Sequence, residues 1–486
     1  MRPTDYRLDG QGAVYQQLAR ALKHAILDGR LQAGQRLPAS RVLATTLNVS
    51  RNTVLGAFDV LHAEQLIATR DRSGTRVTDA VQALPAAQAP RKVRAQSHYA
   101  LRVRKLGPDT LGPIKAALPY DLHYGEPLSD PRLFHAWRRR LAAAALVAGP
   151  RYQGATGFLP LRKTIAEYLA RRRGVICTEN DVVIVGGTQQ AITLTARVLL
   201  DEGDVVTIED PHYLYALQTL QAHGARIVSI PVDSDGIITS KIAKDRPRLI
   251  FVTPSHQFPS GAVLSLKRRM DLLRIATKQD SWILEDDYDS EFQYHDRPIA
   301  ALRSLDLSGR VIYVGSFSKT LFPSLRLGYI VCPQGLQEDF YMAKGLDDLG
   351  SPATEQAALA LFMQGRQFEK HLRRAVAELG RRRMTLLEGL HRYAGDRIQV
   401  QGTRAGMHVV VWLRGLTYPQ LDRLIANGIQ HGLGLYPIHP HYRKAPAQPG
   451  LLLGYAGLSE ESLKEASKIF GQCLSEVIPF ARLAPP

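Results

Sequence analysis

The stretch Gly315-Ser316-Phe317-Ser318-Lys319-Thr320-Leu321-Phe322-Pro323-Ser324-Leu325-Arg326-Leu327-Gly328 decides how this chain is read. It continues an apolar run, Val311-Ile312-Tyr313-Val314, of the kind that forms a buried strand. Two hydroxyls and a guanidinium suit a phosphate dianion, and a lysine between them can condense with an aldehyde. A cofactor with both groups is pyridoxal 5'-phosphate (PLP). The alternative is a strand that runs out into a polar surface turn, and the other strand ends separate the two readings.

From Tyr120 onward, apolar runs alternate with longer helical segments. Val182–Val185, Val205–Ile208, Leu249–Val252, Trp282–Leu284, Val311–Val314 and Leu327–Ile330 are the expected buried strands. Their nearly continuous apolar character predicts a mostly parallel sheet covered on both faces, with ligands at the carboxyl ends of the strands. After the first run come Gly186, Gly187, Thr188 and Gln189, opening a helix whose free amides suit a phosphate. After the second comes Tyr213, able to stack on an aromatic ring; a core or surface tyrosine is the plainer reading. After the third, His256 could donate to a phenolate oxygen or be a structural histidine. After the fourth, Glu285-Asp286-Asp287-Tyr288-Asp289-Ser290-Glu291 places five carboxylates in seven residues. A solvated turn, a divalent-metal site and an acid facing a pyridinium nitrogen all compete there. No histidine is regularly spaced with these acids, which argues against metal. Tyr288 could bond a ring hydroxyl.

A chain of 486 residues exceeds one compact core, so at least two domains are expected. Hydrophobic content of 45% and charged content of 22% suit a folded soluble protein. There is no apolar run of membrane-spanning length and no secretory leader pattern, so a cytoplasmic location without membrane contact is expected. Three scattered cysteines, Cys177, Cys332 and Cys473, fit neither a disulfide framework nor a metal cluster. The formal charge is +17, and residues 1–118 hold 18 of the 62 Lys/Arg but only 8 of the 45 Asp/Glu. That segment therefore carries a net +10 and the longer remainder +7, which points to a polyanionic partner for the first part.

Within that basic part, Val14, Leu18, Leu22 and Ile26 recur at helical spacing up to Gly29. A short helix is expected from Ser40 to Leu47, a turn at Asn48-Val49, and a helix capped by Ser50. Leu66–Thr69 and Thr75–Val77 read as two strands joined by Arg70-Asp71-Arg72-Ser73-Gly74. The pattern predicts a winged helix-turn-helix. Arg41 and Arg51 fall in first helical turns, where the macrodipole disfavours cations, so an outside phosphate or base edge is the expected partner. Ser50, Arg51, Asn52 and Thr53 form the end of the recognition helix that enters a major groove, while Arg70, Arg72 and Arg76 are expected to grip backbone phosphate from the wing. The plainer alternative is a capped helix with solvated arginines. Domain bounds are set at 1–78 for this head, 79–118 for a basic Pro/Ala-containing linker, and 119–486 for the α/β body.

Gly34-Gln35-Arg36-Leu37-Pro38-Ala39-Ser40-Arg41 and Asn48-Val49-Ser50-Arg51-Asn52-Thr53-Val54 resemble the GntR family of bacterial regulators over residues 14–78. The resemblance implies that Arg41, Arg51 and Arg72 contact double-stranded operator DNA; a further arginine common in that family is Leu55 here. Residues 120–480 resemble the fold-type I aminotransferases, with Lys319 matching the lysine that holds PLP as an internal aldimine. By the same resemblance Asp286 pairs with the pyridine nitrogen and Tyr288 with O3'. Thr188, Ser316, Ser318 and Arg326 hold the phosphate with the amide of Gln189, and Tyr213 stacks on the ring; many members have asparagine where His256 stands. The whole chain is similar to the MocR (GabR-like) regulators. This implies a PLP-dependent transcription factor that senses PLP or an amine or amino-acid effector, acting as a head-to-tail homodimer. Relatives that respond to GABA carry an arginine two residues after the stacking tyrosine; here Tyr215 stands there, and Arg404 and Arg443 are the candidate replacements. The alternative is an active PLP-dependent aminotransferase with a fused DNA-binding domain. In the regulator reading any transamination is weak.

Overall fold

A computed structural model describes residues 8–70, 74–80, 96–106, 118–244, 246–294 and 300–477. The chain divides into two compact units, Met1–Gln96 and Ser97–Pro486.

The first unit is built as its sequence predicts. Helices α1 (Val14–Leu27), α2 (Ser40–Leu47) and α3 (Arg51–Ala63) precede strands β1 (Ile67–Arg70) and β2 (Gly74–Val77). Leu18, Leu22 and Ile26 face inward from α1, against Leu43 of α2 and Val54, Ala57, Phe58 and Leu61 of α3. Burying each large side chain contributes roughly 1.5–3 kcal/mol, enough to hold so small a core. Val14, the first residue of the expected stripe, is exposed at the helix start. Asn48 takes φ 53°, the left-handed conformation that its short polar side chain tolerates, and so ends α2. The strands pair antiparallel, with Ile67 opposite Val77 and Arg70 opposite Gly74. Gln35 and Leu37 hydrogen-bond across to Val77 and Thr75, which ties the wing to the loop between α1 and α2.

The tract 79–118, read from its composition as a basic Pro/Ala-containing linker, contains a helix, α4 (His98–Lys105). Ser97 caps it, accepting from the Ala100 amide at 3.2 Å, and Arg102, Arg104 and Lys105 favour its last turn. No residue of α4 is buried, so it lacks the apolar stripe by which a sequence announces a helix.

The second unit continues with β3 (Tyr120–Asp121), α5 (Pro131–Ala148), α6 (Leu159–Arg173), β4 (Val182–Val185), α7 (Thr188–Leu199), β5 (Val205–Asp210), α8 (Leu214–Ala222), β6 (Arg226–Asp233), β7 (Gly236–Ile237), β8 (Leu249–Val252), β9 (Trp282–Asp287), β10 (Val311–Ser316) and β11 (Gly328–Val331). Eight of these strands form one sheet in the order β4-β11-β10-β9-β8-β5-β6-β7. β10, β9, β8, β5 and β6 pair parallel, whereas β11 is antiparallel to both β10 and β4. Its reversal follows from chain length: the segment between Ser316 and Gly328 is too short for a crossover helix, so the chain turns back directly. Residues 326 and 327 therefore lie at the same edge of the sheet as the ends of the parallel strands. Beyond the sheet, the long helix Gln367–Ala394 and the helix Glu460–Val477 share a core with Ile398–Gln401, His408–Leu413 and Gly450–Gly454, which pair antiparallel.

β9 runs three residues past its apolar stretch and carries Glu285, Asp286 and Asp287 into the interior, all buried. Of the competing readings of this stretch, the solvated turn fails because protein partners replace water. Glu285 accepts from the amides of Leu302 and Arg303 at 2.7 and 2.8 Å. Asp287 receives the Arg173 guanidinium at 2.8 and 3.0 Å and the Ser290 hydroxyl at 2.9 Å. Breaking a buried ion pair leaves the surviving charge uncompensated, at a cost of about 3–5 kcal/mol. Arg173→Ala should thus reduce the unfolding free energy of the large unit by about 3–5 kcal/mol and lower its urea midpoint accordingly, while the head's transition stays in place; an unchanged midpoint would refute the role given to this pair.

Candidate functional sites

In the head, the first turns of α2 and α3 adjoin: Arg51 Nε lies 3.4 Å from Ser40 Oγ. Ser50 caps α3 by accepting from the Thr53 amide at 3.0 Å, and its hydroxyl meets that of Thr53 at 2.8 Å. Arg41, Arg51 and Asn52 are exposed, neither first turn contains an acidic residue, and no carboxylate pairs with Arg41 or Arg51 among the described residues. The result is a cationic edge at two helix N-termini, suited to phosphate and groove contacts. The Arg70 backbone stands at the tip of β1, and Arg72 lies outside the described residues. Arg76 is committed elsewhere, donating to the Gly34 carbonyl at 2.9 Å. Sequence reading passed over Arg36: a Cβ added at Gly74 would lie 3.0 Å from its Nε, so this exposed arginine rests on the wing where a larger residue would displace it.

In the large unit, the expected residues gather at the carboxyl edge of the sheet. The Gly187 turn, at φ +99°, leads from β4 into α7, leaving the first amides of α7 free of helical partners. Ser316 ends β10, and its Oγ accepts from the Ser318 amide at 3.2 Å. Arg326, just before β11, adopts φ +51°; its amide donates to the Pro323 carbonyl at 3.3 Å, while its exposed side chain makes no protein hydrogen bond or ion pair among the described residues. A Cβ at Gly187 would sit 3.5 Å from its Nη1, so the guanidinium flanks the glycine turn. Gln189 donates to Thr219 Oγ1, and its own Oε1 is buried without a partner.

Asp286 differs from its neighbours. It is buried, yet its hydrogen-bond partner among the described residues is Thr188 Oγ1, at a long 3.4 Å. Burial, then the charges of Asp287 and Asp289, push its carboxyl up to about 8. The half-buried Lys319 donates to the Gly125 carbonyl. Burial draws its ammonium below the ordinary lysine value, while the charges of Asp289, Asp286 and Glu126 act in the opposite direction. His256 Nδ1 lies 2.8 Å from Asp289 Oδ2 and 3.1 Å from the Tyr288 hydroxyl, and its Nε2 is buried without a partner. Tyr213 caps α8, its ring edge-on to Phe258 at 5.9 Å. Of the candidate replacement cations, Arg443 is exposed beside Asp210, which its amide meets at 3.1 Å, and Arg404 is exposed in the loop before Gly406.

Three residues of this site escaped the sequence reading. A Cβ at Gly125 would lie 2.9 Å from Lys319 Nζ, and one at Gly406, where φ is +82°, would lie 2.7 Å from His256 Nδ1 and 2.9 Å from Asp289 Oδ2. Both glycines keep space for reactive side chains, and Asp289 orients the histidine. Their only signal was proximity in the fold.

A family model for aminotransferases of class I and II matches residues 120–468, and one for bacterial regulatory proteins of the gntR family matches residues 14–77. The chain is 38% identical over 468 residues to a probable rhizopine catabolism regulatory protein, MocR, of Rhizobium meliloti, covering 94% of this chain and 93% of that one. It is 27% identical over 452 residues to the pyridoxine biosynthesis regulator PdxR of Corynebacterium glutamicum, covering 92% and 93%. Among solved structures, the Pyrococcus horikoshii kynurenine aminotransferase superposes with a TM-score of 0.68 at 26% identity, over 81% of this chain and 98% of that one. The α-aminoadipate aminotransferase of Thermus thermophilus, solved with N-(5'-phosphopyridoxyl)-L-leucine, gives 0.67 at 25%, over 77% and 98%. PLP is the cofactor of this fold, and the residues present suit it: a cationic glycine turn for phosphate, an unpaired buried acid for a pyridinium, and a desolvated lysine for an aldehyde. The chain belongs to the MocR group of GntR-type transcriptional regulators, a DNA-reading head joined to an aminotransferase-like body.

Proposed function

We propose that this regulator senses PLP, or an amine or amino-acid effector that reacts with it, in the large unit and reports it through operator binding by the head. Asp286 carries the reading: a buried carboxyl with one long hydrogen bond is costly unless a protonated ring nitrogen comes to meet it. When bound, PLP supplies an aldehyde that condenses with amines and a ring that withdraws electrons. Lys319 is the attachment point; its lowered pKa leaves more of the neutral amine at neutral pH than an exposed lysine would have. Thr188, Ser316, Ser318, Arg326 and the Gln189 amide bind the phosphate, with Gly187 admitting it closely. Tyr288 and His256 bind the ring hydroxyl, and Tyr213 stacks on the ring. Arg41, Ser50, Arg51, Asn52 and Thr53 read DNA, aided by Arg70 and Arg72 of the wing.

A head-to-tail homodimer completes the proposal, since two heads match two half-sites. The large unit exposes Tyr152 and Leu346 at 89% and 87%, apolar surface of the kind that a second copy would cover.

Titration with PLP should give a visible absorbance band that Lys319→Ala lacks at equal PLP; a band of the same strength in the variant overturns the lysine's role. Arg51→Ala should weaken binding to an operator fragment recovered by in vitro selection at least tenfold, about 1.4 kcal/mol, with the PLP band intact. Unchanged affinity would sink that assignment. A third outcome concerns pH. The Asp286 carboxyl, held up to about 8 in the folded PLP-free protein, stabilises it fully below the ordinary carboxylate pKa, and that stability is lost as pH rises through 8. The urea midpoint of PLP-free wild type should therefore fall more steeply from pH 5 to pH 8.5 than that of Asp286→Asn, which has no proton to lose. Parallel profiles would refute the raised pKa.

A further inference from the structure

The short helix α8 touches the cofactor site at one end and the linker helix at the other. At its start, Tyr213 is the cap residue and faces Phe258. One and a half turns on, Thr219 Oγ1 receives the Gln189 side chain from the phosphate-facing turn of α7 and itself donates to the Tyr215 carbonyl at 2.7 Å. At its end, Arg102 of α4 donates through Nε to the Ala222 carbonyl at 2.9 Å. The same guanidinium pairs with Glu202 at 2.8 Å, and the Tyr99 ring meets His223 edge-on at 5.4 Å. A Cβ at Gly224 would lie 3.2 Å from Arg102 Cζ, so the chain beyond α8 leaves just enough room for the arginine. α4 is the first described helix of the large unit after the tract that joins it to the head.

α8 is thus a rod of about 13 Å between the ring-stacking position and the linker. The hold on α4 is also specific. No residue of α4 is buried; against the end of α8 it is held by a guanidinium on a helix-terminal carbonyl and one aromatic edge, with Glu202 pairing to the same guanidinium beside them. A small displacement of α8 changes both contacts together, as a device with two discrete arrangements requires. We propose that α8 couples the cofactor site to the linker, and that Arg102 is the residue through which occupancy of the site alters operator affinity. This rests on the sensor reading above.

The test uses the full-length chain, the selected operator fragment and PLP as ligand. In wild type, operator affinity is measured without PLP and at saturation, and the ratio is the response. Arg102→Ala should cut that response to less than a third, with the PLP-dependent absorbance band and PLP affinity unchanged. Thr219→Val, which breaks the link between α8 and Gln189, should cut the response in the same direction and serves if the first variant misfolds. Addition of PLP should also change hydrogen exchange of the α4 amides in wild type and not in Arg102→Ala, a difference that a merely anchoring arginine would not produce. A full wild-type response in both variants overturns the coupling role while leaving the sensor reading standing. No response in wild type itself overturns both.

Discussion

Five carboxylates within seven residues at the end of β9 are the constraint to which the large unit answers. Water would be the cheapest partner for them, and the fold denies it to all but Glu291, which is partly exposed. Each needs a replacement, and the replacements come from far along the chain: Arg173 from the end of α6, the amides of Leu302 and Arg303, His256 from the loop after β8, and Tyr168 from α6, which donates to Glu291 at 2.9 Å. These bonds draw α6, β8 and β9 into register around one point. Strand alternation then does the sorting. Adjacent residues of β9 face opposite sides of the sheet, so Asp287 can be neutralised by Arg173 while Asp286 is turned away from it. One acid is paired within the fold, and its neighbour keeps a single long bond, from Thr188, among the described residues.

The same logic of withheld partners runs through the rest of the site. Among the described residues, no acid pairs with Arg326, His256 Nε2 and Gln189 Oε1 are buried without hydrogen bonds, and Lys319 is satisfied by a carbonyl rather than a carboxylate. A fold optimised for stability alone would pair these groups; buried polar atoms left unpaired mark places where a ligand completes the structure. In the head, Arg41 and Arg51 are likewise cations at helix ends that repel them, with no acidic residue in either first turn and no carboxylate paired with them among the described residues. Both units hold incomplete charge sets, one shaped for a small dianion and the other for a polyanion.

Much of this was legible along the chain, for identifiable reasons. Lys319, Asp286, Thr188 and Arg326 each follow or precede an apolar run, and the rule that ligands gather at strand ends collects them without knowledge of the packing. The head was legible because Leu18, Leu22 and Ile26 keep helical period and Ser50 caps α3. What stayed hidden depends on contacts between distant segments. Gly125 and Gly406 matter because Lys319 and His256 approach them across the fold. The antiparallel course of β11 follows from a loop length and not from side-chain pattern. α4 has no apolar face, and β6 has its apolar residues interrupted by Ser229 and Pro231, so periodicity finds neither.

A lysine able to capture an aldehyde does not by itself make an enzyme. Turnover needs a substrate held in place through its own functional groups, and the position two residues after Tyr213, where a carboxylate-binding arginine would stand, is Tyr215, ring to ring with Tyr213 at 5.7 Å. Arg443 and Arg404 are exposed rather than directed into the site by any partner. The groups proposed to hold the cofactor are present, and among the described residues no uncommitted buried cation stands beside them to fix an amino acid's carboxylate. The output of a sensor is a difference in free energy between states and not a product. Such a difference is reciprocal: if PLP changes the affinity of the head for DNA, operator DNA changes the affinity of the large unit for PLP by the same factor. The two units therefore need a mechanical connection no stronger than a few hydrogen bonds, since coupling of 1–3 kcal/mol spans about 5- to 150-fold in affinity.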